Sequence, residues 1–112
     1  MSGPQIFAVI DPTSGDDIPT IMTGSTGTYN GYNFSIVRNA GGHFTVTFQP
    51  ALDSIPAVVG SVVEDDPGAS SHDTRDNVVI NTISTETFDL FVGDHEGDLK
   101  DFRFSFIALA PS

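Results

Sequence analysis

Apolar residues recur at every second position through several stretches of this chain, and a period of two leaves little but β-structure open to it. In residues 43–49, Phe44, Val46 and Phe48 fall on one face, with Thr45, Thr47 and Gln49 on the other. In residues 87–93, Phe88, Leu90 and Val92 alternate in the same way, and in residues 101–109 so do Phe102, Phe104, Phe106 and Ala108. Further strands are expected over residues 5–10, 32–38, 57–63 and 77–83, and residues 18–22 offer an optional short edge strand. The run at 57–63 is almost continuously apolar, which reads as a central strand. No window carries apolar residues at helical spacing between caps. The expectation is one all-β domain over residues 1–112, an antiparallel β-sandwich of about six to seven strands with a phenylalanine-rich core. Residues 1–30 form an irregular N-terminal segment with one short strand.

Successive strands of such a fold run in opposite directions, so alternate loops share an end. The loops at 39–42, 65–75 and 94–100 therefore project from one rim, and the last two concentrate acidic residues and hold two of the three histidines. The third, His43, follows the first loop directly. Asn39-Ala40-Gly41-Gly42 reads as a tight hairpin connection, because Asn and Gly tolerate positive φ. The rim residues singled out for ligand contact are Asn39, His43, His72, Asp73, Arg75, Asp94, His95, Glu96 and Lys100. Arg75–Asp76 and Lys100–Asp101, where two of the loops return into strands, read as local ion pairs ordering the loop bases. Phe7, Val9, Phe91, Ile107 and Leu109 occupy outward positions where an exposed sheet prefers polar side chains. Two readings stay open for them: closure of the sandwich, or an oligomer interface.

The net charge of −11, with only four Lys and Arg, excludes a nucleic-acid surface, which must neutralise phosphates. It also argues against an anionic membrane, and no apolar run is long enough to insert. There is no cysteine, hence no disulfide, thiolate metal site or Cys nucleophile. The first residues lack the basic and apolar regions of a signal peptide, so synthesis in the cytosol is expected, with later release into a particle or the extracellular space.

Three groups of residues together resemble a known family. They are Gly31-Tyr32-Asn33-Phe34-Ser35-Ile36-Val37-Arg38, then Gly42-His43-Phe44-Thr45-Val46-Thr47-Phe48, then Ile55-Pro56-Ala57-Val58-Val59. This order resembles the opening of the C-terminal β-domain of phage tail-fibre-like and bacterial collagen-like proteins. Its close is similar to Asp76–Ile80, Phe88–Val92 and Asp101–Ala108, and the layout is similar to the H-type lectin sandwich. The resemblance covers roughly residues 31–110. It implies a homotrimer and sugar binding at the rim, without carrying over any individual sugar-binding residue.

Reactive chemistry is weakly signalled. His72-Asp73 and Asp94-His95-Glu96 offer ligand types on neighbouring loops without the converging spacing of a zinc site, so no metal is assigned. Asp94-x-Glu96-x-Asp98 begins like a calcium loop but has Gly97 in the fourth position and no Glu in the twelfth. Calcium shared with Asp65, Asp66 or Asp101 is the one cofactor alternative. Ser70-Ser71-His72-Asp73 has the residue types of a catalytic triad without its geometry, and no nucleophile elbow is present. The sequence therefore reads as a non-catalytic structural or receptor-binding protein of a virion, tail fibre or similar extracellular particle. Its rim loops would recognise a surface glycan. The alternatives are a stand-alone lectin and a decoration module without a ligand.

Overall fold

In a computed structural model of the chain, residues 3–25, 31–64 and 74–111 are described. Eight strands follow one another: β1 (Gln5–Asp11), β2 (Thr20–Gly24), β3 (Asn33–Ala40), β4 (His43–Gln49), β5 (Ala57–Val62), β6 (Asn77–Asn81), β7 (Thr87–Gly93) and β8 (Phe104–Leu109). They form two antiparallel sheets packed as a sandwich, β2-β1-β8-β5 and β3-β4-β7-β6. The all-β sandwich is thus the observed fold, with one strand more than expected because β2 is fully formed. No helix among the described residues is long and apolar enough to cross a membrane.

The period of two does the sorting. In β1, β4 and β7 buried and half-buried positions alternate strictly, so one face of each strand enters the core. Phe34, Phe44, Phe48 and Phe88 come from one sheet, Phe104 and Phe106 from the other, and all six are buried. Phe106 stands edge-on to Phe34 and Phe88, with centroids 5.5 and 5.4 Å away, and Phe104 tilts against Phe44 at 4.9 Å. These spacings lie in the favourable range for aromatic pairs. β8 therefore drives the wedge that joins the two layers.

Two sequence expectations change. The apolar run 57–63 is an edge strand rather than a central one: β5 pairs only with β8, and Ala57 and Val59 are exposed. Its continuous apolarity comes from an outer face that is itself apolar, which periodicity alone cannot tell from burial on both sides. The last strand begins at Phe104, not at residue 101, because residues 101–103 are spent on rim contacts. At the same edge Gly60 lets the two sheets approach, since a Cβ there would lie 2.8 Å from Val78 Cγ1.

Phe106→Ala removes the ring that touches both Phe34 and Phe88, and is expected to cost about 3–5 kcal/mol of stability. Urea unfolding monitored by circular dichroism checks this; a loss below about 1 kcal/mol would mean that the inter-sheet wedge is not what holds the layers.

Candidate functional site

The register places the β3–β4 turn, the end of β5, the start of β6 and the β7–β8 loop at one end of the sandwich. The β1–β2 connection joins them, because the end of β1 lies beside the start of β8. The rim thus has a fourth member, which contributes the Asp17 carbonyl oxygen as acceptor for the Arg38 N–H at 2.7 Å.

Asp101 ties the rim together. Its Oδ2 accepts hydrogen bonds from Arg38 Nε and Nη2 at 3.0 and 2.8 Å, and its Oδ1 accepts the Gly42 N–H at 2.9 Å. Burial acts to raise its pKa, but the Arg38 bonds, the Gly42 bond and the Arg38 charge together hold the carboxyl below the ordinary carboxylate range. The Lys100–Asp101 pairing expected from sequence is replaced by this one, since neighbours in an extended chain point apart while Arg38 comes across from β3. Gly42 sits where three backbone segments meet. At φ 70° its position would place a Cβ 2.5 Å from the Val92 carbonyl oxygen and 2.8 Å from the Lys100 nitrogen, so no other residue fits. Across the rim, Asp11 accepts both the hydroxyl and the N–H of Thr13, which lower its pKa most, and lies 3.3 Å from Arg103.

The alternating acids at 94–98 have a local use. Asp94 Oδ1 accepts the N–H groups of Glu96 and Asp98 at 2.9 and 3.0 Å, while the Asp94 N–H and carbonyl close the same turn through Asp98 and Gly97. Burial acts to raise the Asp94 pKa, but these backbone bonds and the Lys100 charge outweigh it and hold it low. The alternating acids thus form a turn capped by Asp94. Among the described residues no group of three or more His, Asp or Glu side chains is placed to hold a metal ion.

The sequence-selected rim residues separate into distinct groups. Asn39 and His43 lie on the outer face of the β3-β4-β7-β6 sheet. There Asn39 Nδ2 donates to Thr45 Oγ1 at 2.8 Å, and the Thr45 hydroxyl donates to Asp89 Oδ1 at 2.8 Å. His43 Nε2 stands 3.5 Å from both Asp89 Oδ2 and Asn39 Nδ2. The His43 ring stacks on Phe91 with centroids 4.3 Å apart and planes at 14°. His95, Glu96 and Lys100 are exposed on the β7–β8 loop, with His95 Nε2 3.5 Å from Glu96 Oε1. Arg75 is exposed just ahead of β6. His72 and Asp73 lie outside the described residues, as do Asp65 and Asp66.

The five outward apolar residues also part company. Phe7, Val9, Ile107 and Leu109 share the outer face of the β2-β1-β8-β5 sheet, whereas Phe91 faces outward from the opposite sheet. Beside Phe91, on the flank away from His43, lies a depression of about 240 Å³ lined by Asn77, Val79, Asp94 and Leu99. Sequence reasoning passed over Asn77 and Val79 of β6 and Leu99 of the β7–β8 loop because pairing, not sequence proximity, brings them beside Phe91, and over Arg38 and Asp89 because their partners are 63 and 44 residues distant in the chain. Outward alternation of Asp89 and Val79 was the available signal. Comparison with protein-family models, curated proteins and solved structures found no significant match.

A depressed carboxylate pKa adds stability that is whole above the unfolded value, near pH 4, and is lost as pH falls through the lower folded value. Asp101→Asn should therefore melt below the wild type at pH 7, with the gap closing as the pH drops below about 4. Thermal melts across pH 3–7 test this; a gap independent of pH would remove the Arg38–Asp101 pair as its cause.

Proposed function

We propose that the chain is a non-catalytic structural and receptor-binding module of a virion, tail fibre or similar extracellular particle, assembled as a homotrimer and recognising a surface glycan at its rim. One observation carries the assembly. On the outer face of the β2-β1-β8-β5 sheet, Ile107 and Val59 are cross-strand partners and Leu109 lies opposite Ala57, giving two adjacent apolar rows. Val59 is 65% exposed, Leu109 50% and Ile107 46%. A sheet face meeting water is normally polar, and a contiguous apolar one of this kind marks a contact surface. A second copy of the chain is the partner that this face suits, because the face is apolar and carries little charge of its own. The trimeric order follows from the sequence resemblance.

The rim supports a binding role better than a catalytic one. Its best-ordered carboxylates, Asp94 and Asp101, are committed to backbone N–H groups and to Arg38, so their low pKa values serve the loops and leave neither poised as a base near neutral pH. The surface they support combines amide, imidazole, carboxylate and aromatic groups.

Sedimentation velocity of the wild type should give three times the 11.9 kDa chain mass. The Val59→Lys/Ile107→Lys double variant, altered only at exposed positions, should sediment as a monomer. A monomeric wild type would sink the assembly. Separately, the folded oligomer applied to a glycan array should retain at least one neutral glycan; a blank array would leave a structural module and remove recognition.

A further inference from the structure

We propose that the depression beside Phe91 is a subsite for one uncharged pyranose ring, an inference that rests on the glycan-recognition reading and gives it a place. The floor comes from the register. Phe91 is flanked on β7 by His43 of β4 on one side and by Val79 of β6 on the other. His43 covers one face of the Phe91 ring and does not line the depression, so the face turned towards β6 is the one that does. Val79 and Leu99, 55% and 48% exposed, wall it with aliphatic surface.

Polar groups stand at the margin of this apolar floor. The Asn77 side chain offers both donors and an acceptor. Asp94 spends its Oδ1 on the turn, while its Oδ2 accepts no hydrogen bond from a described residue. A pyranose has the matching division: one face of C–H groups that can lie on an aromatic ring or aliphatic wall, and an equator of hydroxyls that need donors and acceptors. At about 240 Å³ the depression is below the range of drug-sized pockets, which starts near ~300 Å³, and suits a single ring.

Charge selects among sugars. With a net charge of −11 and a carboxylate at the margin, sialylated, sulfated or phosphorylated rings are repelled. A cationic ligand is not called for either, because Lys100 already acts on Asp94. The third occupant to weigh is another copy of the chain, for which this small, partly polar hollow is a poorer match than the apolar face of the other sheet.

Amide chemical-shift titration of isotope-labelled protein with neutral methyl glycosides (glucose, galactose, mannose and N-acetylhexosamine forms), with N-acetylneuraminic acid as the charged control, tests the assignment. At least one neutral glycoside should move the amides of Asn77, Val79, Phe91 and Leu99, and the acid should move none of them. Phe91→Ala and Asn77→Ala should each weaken that binding at least about tenfold, equivalent to 1.4 kcal/mol, while Phe91→Tyr retains it. Asn77 is exposed, so its variant keeps the test valid should Phe91→Ala fail to fold. Glycan-array binding that survives both Ala variants would overturn the subsite and leave glycan recognition standing elsewhere on the rim. Shifts confined to other residues, or an array signal with no glycoside shift here, would overturn it likewise. A blank array together with silent titrations would overturn both. Loss of oligomer mass in either Ala variant would reassign the hollow to self-association and overturn the sugar.

Discussion

The sandwich depends on two phenylalanines of β8 reaching across to three of the other sheet. Phe104 and Phe106 are the aromatic contribution of their layer to the core, and each meets rings of the opposite layer at 4.9–5.5 Å. Sheets packed in this way bury side chains that alternate along every strand, so the position of β8 fixes which face of β1 and β5 turns inward. Everything at the rim follows from that placement. Residues 101–103 enter β8 directly, and Asp101 reaches Arg38 on β3 of the opposite sheet while Arg103 reaches Asp11 on neighbouring β1.

The rim is accordingly stiff at its base. One carboxylate, Asp101, ties the β3–β4 turn to the β7–β8 loop through Arg38 and Gly42, and a second, Asp94, caps the turn within that loop. Acidic residues that composition suggests as ligands are thereby used as internal acceptors for backbone N–H groups. Among the described residues, Asp16, Asp17, Asp53, Glu64, Glu86, Glu96 and Asp98 are exposed, and such surface charge repels anionic groups.

Inward residues were readable because alternation is a local property: Phe44, Val46, Phe48, Phe88, Leu90 and Val92 are all buried as the period of two requires. The clustering of loops at one end was readable too, since it needs only strand direction. Sheet order was not. Whether residues 57–62 sit centrally or at an edge depends on pairing with β8, about 47 residues further on. The candidate site was legible in part. His43 was named for its place after a rim loop, but its neighbours Asp89 and Phe91 arrive through cross-strand register. Phe91 was noticed as outward and apolar without any means of knowing that it and Ile107 belong to different sheets.

Gly42 and Gly97 lie at opposite ends of one mechanical contrast. Around Gly42 two other segments, at Val92 and at Leu99–Lys100, close to within 3 Å of where a side chain would begin, whereas around Gly97 there is nothing within 4 Å. Length changes in the β7–β8 loop are thus confined to its tip, where added residues would extend into solvent without disturbing the Asp101 anchor. Because Gly97 also borders the hollow beside Phe91, such insertions would remodel the entrance to that hollow and leave the framework intact. The mouth of the hollow and the anchor of the loop are thereby mechanically separate, one open to solvent at Gly97 and the other closed around Gly42.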